Sequence, residues 1–198
     1  MNYPEHLKSL IANLKRLPGV GNKTAERFAF QMIDWKPHHL QQLADCVKDI
    51  PEKIHSCPCC GCLMDADKCL FCHPSRALDG VLCIVASARD VFAIESTHEY
   101  HGMYHVLGGH ISPMEGIGPE QLNVSTLQSR IENNSVKEII IALDSTLEGD
   151  ATALWLKSEL EPLTVKVSRL AFGLPMGSSL DYIDGGTLAK AFSGRSLF

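Results

Sequence analysis

Six cysteines crowd into one short stretch, and thiols at this spacing predict a metal site. They are Cys57, Cys59, Cys60, Cys62, Cys69 and Cys72, out of eight cysteines in the chain. Two thiolates separated by two residues can bend round one ion, and two such pairs complete a tetrahedral zinc site. Cys57 with Cys60, and Cys69 with Cys72, form two such pairs. We therefore expect these four thiolates to hold one structural zinc ion, because in a reducing cytosol this clustering favours metal over disulfides.

The other cysteines leave the ligand set open. Cys59 and Cys62 form an overlapping Cys-x-x-Cys pair, so they are alternative ligands, or exposed thiols whose reactivity depends on their surroundings. His73 is a further candidate, although four thiolates leave it no coordination position. Cys46 and Cys83 stand alone in apolar contexts, and we expect both to be small core residues.

A second candidate site is the stretch LPGVGNKTAER at residues 17–27. A tight Gly-x-Gly turn between two helices can direct the backbone amides of Gly19, Val20 and Gly21 outward, and a helix start favours an anion such as phosphate. Lys23 and Arg27 lie four residues apart, so they share a helix face and can flank the same phosphates. The alternative is an ordinary helix–helix turn that needs glycine only for its geometry.

A third candidate follows the apolar run EIIIAL, where acidic residues cluster in LDSTLEGDATA at 143–153. Ligand sites in open α/β sheets lie at the carboxyl ends of strands. Asp144, Glu148 and Asp150 can converge there on a divalent cation such as Mg²⁺. The alternative, which we favour on the residues alone, is that Asp144 and Glu148 cap the following helix.

The elements that must position these residues fall into zones. Residues 1–55 show helical periodicity: a first helix carries Leu7 to Leu14, a second has Ala25, Phe28, Ala29 and Met32 on its inner side, and a third starts near Pro37. From about residue 80, short β-rich runs alternate with helical ones, which predicts an α/β fold with a mostly parallel sheet. A Gly-rich loop at 108–122 should precede a helix that begins near Pro119.

Composition narrows the class of protein. The chain has 198 residues, 45% of them hydrophobic, and a net charge of −5, so it is neither disordered nor a general nucleic-acid coat. The longest apolar runs are far too short to span a bilayer, which predicts no membrane association. The N-terminal sequence MNYPEHLKSL lacks the layout of a secretory signal, so we expect a cytoplasmic protein.

The order of these features resembles the bacterial RecR family of recombination mediators. Residues 17–27 are similar to the helix-hairpin-helix motif, which grips DNA phosphates without reading bases. The resemblance covers essentially the whole chain. It is carried by LPGVGNKTAERFAF (17–30), the cysteine spacing, GHISPMEGIGPEQL (109–122), TLEGDATA (146–153) and RLAFGLPMGSSLDYIDGGTLAKAFSGR (169–195).

The resemblance implies four modules and a role in repair. These would be a helix-hairpin-helix DNA-binding region at 1–55, a four-cysteine zinc finger at 56–78, a Toprim domain at 79–170, and a C-terminal oligomerisation or packing segment at 171–198. The implied function is a non-enzymatic clamp and adaptor at gapped DNA. Its partners would be single-strand/double-strand DNA junctions, RecO and RecF, with a functional link to RecA, and it would form a homo-oligomer such as a tetramer ring.

One departure from the Toprim pattern argues against catalysis. Catalytic Toprim domains carry a glutamate at the end of the first strand, where this chain has Ala86, and alanine cannot act as acid, base or metal ligand. Thr146 replaces the second aspartate of the Toprim Asp-x-Asp pair that begins at Asp144. We therefore expect Asp144, Glu148 and Asp150 to serve partner binding. The alternative is a Mg²⁺-dependent nuclease, primase or topoisomerase.

Overall fold

The computed structural model describes residues 2–65, 67–171 and 173–195. The chain divides into two units, Met1–Ile54 and His55–Phe198. The helices of the first unit are α1 (Glu5–Leu14), α2 (Asn22–Ile33) and α3 (Pro37–Lys53). Pro37 occupies the first turn of α3 as predicted, because its missing amide hydrogen costs nothing there.

Helices α1 and α2 of the first unit pack against each other through small residues. Ala25 and Ala29 on α2 are fully buried. Phe28 is 39% exposed, so its expected place on the inner side of α2 is wrong. The two alanines form the buried side of this helix instead. Helix α3 has no buried residue, and for that reason Cys46 is exposed instead of being a core residue.

The second unit is an α/β domain with a small cysteine-bearing hairpin. Its strands are β1 (His55–Ser56), β2 (Leu63–Met64), β3 (Val81–Val85), β4 (Met103–Val106), β5 (Glu138–Ala142) and β6 (Lys166–Arg169). Its helices are α4 (Ala88–Glu95), α5 (Leu127–Asn133), α6 (Leu147–Leu160) and α7 (Gly185–Ser193). Strands β1 and β2 pair antiparallel. The other four form a parallel sheet in the order β4-β3-β5-β6, which confirms the predicted fold class.

The central strand β3 is buried on both faces, and its alternating side chains feed two cores. Leu82 and Ile84 pack with apolar residues of α5 and α6. Cys83 and Val85 face the other way, toward Val91 of α4 and the buried cysteines. Residues 55–77, which we call the cysteine segment, therefore contribute to a core of the α/β domain.

The region after β4 differs from the sequence prediction. Short 3₁₀ turns occupy Pro113–Glu115 and Pro119–Gln121, and α5 begins only at Leu127. A helix starting near Pro119 is therefore wrong. The physical reason is that the Asn123 amide donates to the Leu107 carbonyl at 2.8 Å, which draws the chain back along the end of β4. None of the described helices has the length and apolar character needed to cross a membrane.

Candidate nucleic-acid interface and metal centre

The turn between α1 and α2 leaves the start of α2 open. The Val20 amide donates to the Leu17 carbonyl at 3.1 Å, and Gly19 has a φ of +77°, a left-handed conformation that glycine adopts without strain. Gly21 is the residue before the helix, and no side chain of residues 2–65, 67–171 or 173–195 caps α2. The amide groups of its first turn are therefore available to water or to an anion.

Both predicted basic side chains lie exposed on α2 beside this turn. Lys23 and Arg27 are four residues apart in the helix, so they project from neighbouring positions on one face. The Arg27 guanidinium lies 5.6 Å from the centre of the Phe28 ring, within cation–π range. Amides at a helix start flanked by two exposed cations are suited to binding phosphate.

The four predicted metal ligands converge on one point. The sulfurs of Cys57, Cys60, Cys69 and Cys72 all lie within 4.8 Å of one another. The sulfurs of Cys57 and Cys72 are 3.8 Å apart, and those of Cys60 and Cys69 are 3.5 Å apart. A tetrahedral ion with metal–sulfur bonds of about 2.3 Å requires sulfur–sulfur edges of about 3.8 Å. The residues therefore fit a tetrahedral metal site and are too far apart for disulfides.

The local fold explains this convergence. The Cys57 amide donates to the Cys62 carbonyl and the Gly61 amide to the Cys57 carbonyl, both at 2.8 Å, so the first pair sits on a tight turn. Gly61 has a φ of +75°, and a Cβ there would lie 2.8 Å from the Val106 carbonyl oxygen. This position needs glycine on both counts.

The two remaining cysteines of the cluster differ from each other. Cys59 is exposed, as expected. Cys62 is fully buried, so its expected exposure is wrong: the turn that presents Cys60 to the metal site directs Cys62 into the core. Hydrogen bonds from Cys62 and Cys72 lower the pKa of Cys60 well below its ordinary value. Negative charge is therefore favoured at one of the predicted ligands.

The three acidic residues do not form a comparable cluster. Within the described ranges, only the four cysteines bring three or more metal-ligating side chains within 4.8 Å of one another. Asp144 and Glu148 are exposed, whereas Asp150 pairs with Arg169 at 2.6 Å and Lys190 at 3.3 Å. The cap of α6 is Thr146, whose hydroxyl accepts from the Gly149 amide at 3.0 Å, and neither Asp144 nor Glu148 takes that role.

Several known proteins are similar to this chain over nearly its whole length. The chain is 58% identical over 198 residues to the recombination protein RecR of Protochlamydia amoebophila, with 100% of both chains covered. It is 48% identical over 198 residues to that of Chlamydia felis, covering 99% of this chain and 98% of the relative. It is 44% identical over 195 residues to that of Desulforudis audaxviator, covering 98% of each.

The chain belongs to the RecR family.

Family models match in the same order along the chain. The RecR helix-hairpin-helix model covers residues 7–50, the Toprim domain model covers 80–171, and the RecR C-terminal model covers 173–196. The hairpin of this RecR-family chain thus lies in the first match. The residues that depart from the catalytic Toprim pattern, Ala86 and Thr146, lie in the second.

The carboxyl ends of the parallel strands show what occupies the usual Toprim site. Ala86 is 5% exposed, and the next residue, Ser87, caps α4 through a reciprocal box with Asp90. Nε2 of His110 lies 3.9 Å from a carboxylate oxygen of Asp144. That distance exceeds a hydrogen bond. In this RecR-family chain the first strand end therefore offers an apolar surface and a helix cap instead of an acid.

Sequence patterns did not reveal the contacts that tie the cysteine segment to the sheet. Arg76 makes a two-pronged ion pair with Glu95 of α4 at 2.6 and 2.9 Å, and also donates to the Gly102 carbonyl at 2.9 Å. Its guanidinium lies 5.2 Å from the Phe71 ring centre and 5.7 Å from that of Tyr104. A single arginine has no characteristic spacing from its partners in the sequence, so these contacts become visible only in the folded structure.

The C-terminal segment is anchored through α7. The Asp184 carboxylate accepts from the Thr187 amide at 2.9 Å and so caps the helix, and Lys190 reaches Asp150 of α6. Phe172 and residues 196–198 of the predicted 171–198 segment lie outside the described residues. Asp150 therefore holds the tail of this RecR-family chain against the α/β domain.

Proposed function

We propose that this protein is a DNA-binding clamp and adaptor without catalytic activity, acting in recombinational repair of gapped DNA. The observation that carries the proposal is the uncapped start of α2 beside exposed Lys23 and Arg27. The RecR resemblance supports the finer roles: a cytoplasmic homo-oligomer that works with RecO and RecF to help load RecA on DNA coated by single-strand-binding protein. The four-module division, with a separate C-terminal packing segment, is part of the same proposal.

Phosphate contact is the mode of DNA binding that this surface suits. The amides of Gly19 and Gly21 would face one phosphate while Lys23 and Arg27 flank its neighbours. The Val20 amide would not take part, because it donates to the Leu17 carbonyl. Such contacts read no base edges, so binding would be independent of sequence and would weaken steeply with salt. Since the whole chain is acidic, strong retention would need several protomers acting together.

The metal in the cysteine site is proposed to be zinc, held by Cys57, Cys60, Cys69 and Cys72. Four thiolates at tetrahedral spacing match the preference of Zn²⁺. A site closed by four protein ligands has no position for substrate water, so zinc would act structurally. Thiolates of this kind persist in a reducing compartment, which agrees with a cytoplasmic location.

The absence of catalysis rests on the strand ends. Ala86 cannot take part in acid–base or metal chemistry, Thr146 caps α6, and Asp150 is engaged by two cations. Asp144 and Glu148 remain as exposed carboxylates, which suits a surface for a basic partner. A magnesium-dependent nicking activity that disappears in Asp144→Ala would instead support the Toprim-enzyme alternative.

The DNA-binding proposal is tested by reversing the two charges on α2. Lys23→Glu with Arg27→Glu removes two phosphate contacts, so the slope of log K against log salt should fall by about 1.8 per bound protomer on duplex DNA. Fluorescence anisotropy with labelled gapped DNA between 50 and 200 mM salt measures this slope. The control is Lys137→Glu with Lys157→Glu, which changes charge equally on exposed lysines of the α/β domain. Equal slopes for both double variants would place the DNA surface elsewhere.

A further inference from the structure

Helix α5 buries an arginine that has no acidic partner among the residues that the structure describes. Arg130 is 5% exposed, and within the described residues no carboxylate lies in ion-pair range of it. Its Nη1 donates to the Tyr104 carbonyl at 2.7 Å and to Nδ1 of His105 at 3.0 Å. Its Nε is buried and has no hydrogen-bond partner in the described part of the chain. A buried charge of this kind requires compensation from some other group.

His105 does not compensate the buried charge of Arg130. It is fully buried, and its Nε2 contacts the Asn123 carbonyl. Because a carbonyl can only accept, Nε2 carries the proton and Nδ1 accepts from Arg130. Burial lowers the pKa of His105 to about 4, so the imidazole is neutral near pH 7. The single positive charge of this buried pair belongs to Arg130.

The turn that carries the cysteines runs along the same strand edge. The Val106 amide of β4 donates to the Cys60 carbonyl at 2.8 Å, and Thr126, just before α5, donates its hydroxyl to the Cys59 carbonyl at 3.4 Å. Arg130 and Cys60 therefore form hydrogen bonds with main-chain groups only two residues apart on β4, the Tyr104 carbonyl and the Val106 amide. This shared strand edge places the guanidinium beside the turn that carries the cysteines.

Charge balance identifies the missing counter-charge. Four thiolates and one divalent ion carry a net charge of −2, whereas four free thiols carry none. We propose that Arg130 is the counter-charge of the metal–tetrathiolate centre and strengthens its hold on the metal. The inference rests on the metal site of the proposed function and is independent of DNA binding.

The consequence is that metal occupancy stabilises the α/β domain as well as the cysteine segment. With metal bound, Arg130 faces an anionic centre. Without metal it is a buried cation beside neutral thiols, and the packing of α5 against β4 must accommodate it. Loss of the metal should therefore loosen Leu127–Asn133 and Met103–Val106, which contain no ligand.

The test compares Arg130→Met, which removes the charge, with Arg130→Lys, which keeps it. Zinc affinity is measured on the full-length protein by competition with a chromogenic chelator, and thermal unfolding is followed with and without zinc. Outer-shell partners of metal sites typically contribute 10- to 100-fold in metal affinity. We expect a loss of this size in Arg130→Met, a smaller loss in Arg130→Lys, and a smaller gain in unfolding temperature on zinc binding in Arg130→Met. The control is Arg169→Met, which breaks the ion pair with Asp150 and should lower stability equally with and without zinc.

Three outcomes separate the possibilities. If the wild-type protein binds no zinc, the metal site itself is wrong. If it binds zinc and Arg130→Met binds equally well, Arg130 is only a packing residue and the inference fails. Should Arg130→Met not fold, hydrogen exchange of the wild-type protein decides instead: zinc removal must accelerate exchange in α5 and β4 but not in α1 and α2, and unchanged exchange in α5 overturns the inference.

Discussion

Replacing Arg76 with methionine should detach the cysteine segment from the sheet while leaving the metal ligands in place. The variant loses the two-pronged pair with Glu95, the bond to the Gly102 carbonyl and the contacts with the rings of Phe71 and Tyr104. Methionine keeps most of the side-chain volume. The effect therefore reports mainly on charge and hydrogen bonding.

The size of the effect follows from burial. The side chains of Arg76 and Glu95 are 19% and 27% exposed. Breaking a fully buried pair costs about 3–5 kcal/mol, and hydrogen bonds to charged groups contribute about 1.5–3 kcal/mol each. For this partly buried pair we expect about 2–3 kcal/mol, which corresponds to a fall in Tm of about 5–10 °C for a domain of this size.

The Arg76–Glu95 pair should also make the stability of the domain depend on pH. Burial raises the pKa of Glu95, but hydrogen bonds from Arg76 and Tyr104 outweigh it and hold the pKa below the ordinary value. A carboxylate with a lowered pKa stabilises the fold above its unfolded pKa of about 4.3, and this stability is lost as the pH falls through the lower folded value. The Tm difference between wild type and Arg76→Met should be full at pH 7 and shrink below about pH 4.

Scanning calorimetry on zinc-loaded protein measures both effects. Lys166→Met is the control, since it breaks the pair of Glu138 with a lysine that is 71% exposed and should change Tm little. A shift for Arg76→Met no larger than this control, or one that stays undiminished at pH 3, would refute the reasoning.

Three further predictions concern α6 and its surroundings. Gly149→Ala should lower Tm by several degrees, because its Cβ would clash with the Asp144 carbonyl oxygen. Gly185→Ala, whose Cβ meets open space, is the control, and equal Tm values for the two variants would contradict the clash. Thr146→Ala should cost about 1 kcal/mol by removing the cap, whereas Thr146→Asp keeps it, which denaturant titration distinguishes. Hydrogen bonding to Arg169, and then to Lys190, lowers the pKa of Asp150, so Asp150→Asn should speed proteolysis within residues 173–195 at pH 7; cleavage at the wild-type rate would show that Asp150 does not hold the tail.

The sequence predicted those features that depend on local spacing. Cys57 with Cys60, and Cys69 with Cys72, are pairs whose spacing lets two thiolates bend round one ion, and the structure brings the two pairs together. The parallel sheet followed from apolar runs alternating with helices, and the opening of α2 from the glycines at 19 and 21. Each of these signals is built from short stretches of sequence, such as the sixteen positions from Cys57 to Cys72, so it can be recognised without knowledge of the fold.

Features that depend on distant contacts were missed. Arg130 meets Tyr104 and His105 across about 25 residues, and Asp150 meets Lys190 across 40. The sequence predicts Asp150 as a metal ligand because its ion-pair partners, Arg169 and Lys190, lie far along the chain. The sequence predicts Cys62 as exposed, and this is wrong because Cys-x-x-Cys spacing does not determine which thiols face the core. The packing of β4, α5 and the cysteine segment decides the cases of Arg130 and Cys62, and the packing of α6, β6 and α7 decides that of Asp150.

Whether the protein encircles DNA as a clamp is tested by its retention on DNA of different topology. Zinc-loaded protein is bound to closed circular gapped DNA and challenged with high salt, alongside the same DNA cut once. We expect salt-resistant retention on the circle that is lost on cutting, because a protein that encircles DNA leaves only through an end. Equal loss from both forms would contradict the clamp and leave an open phosphate-binding surface at the start of α2.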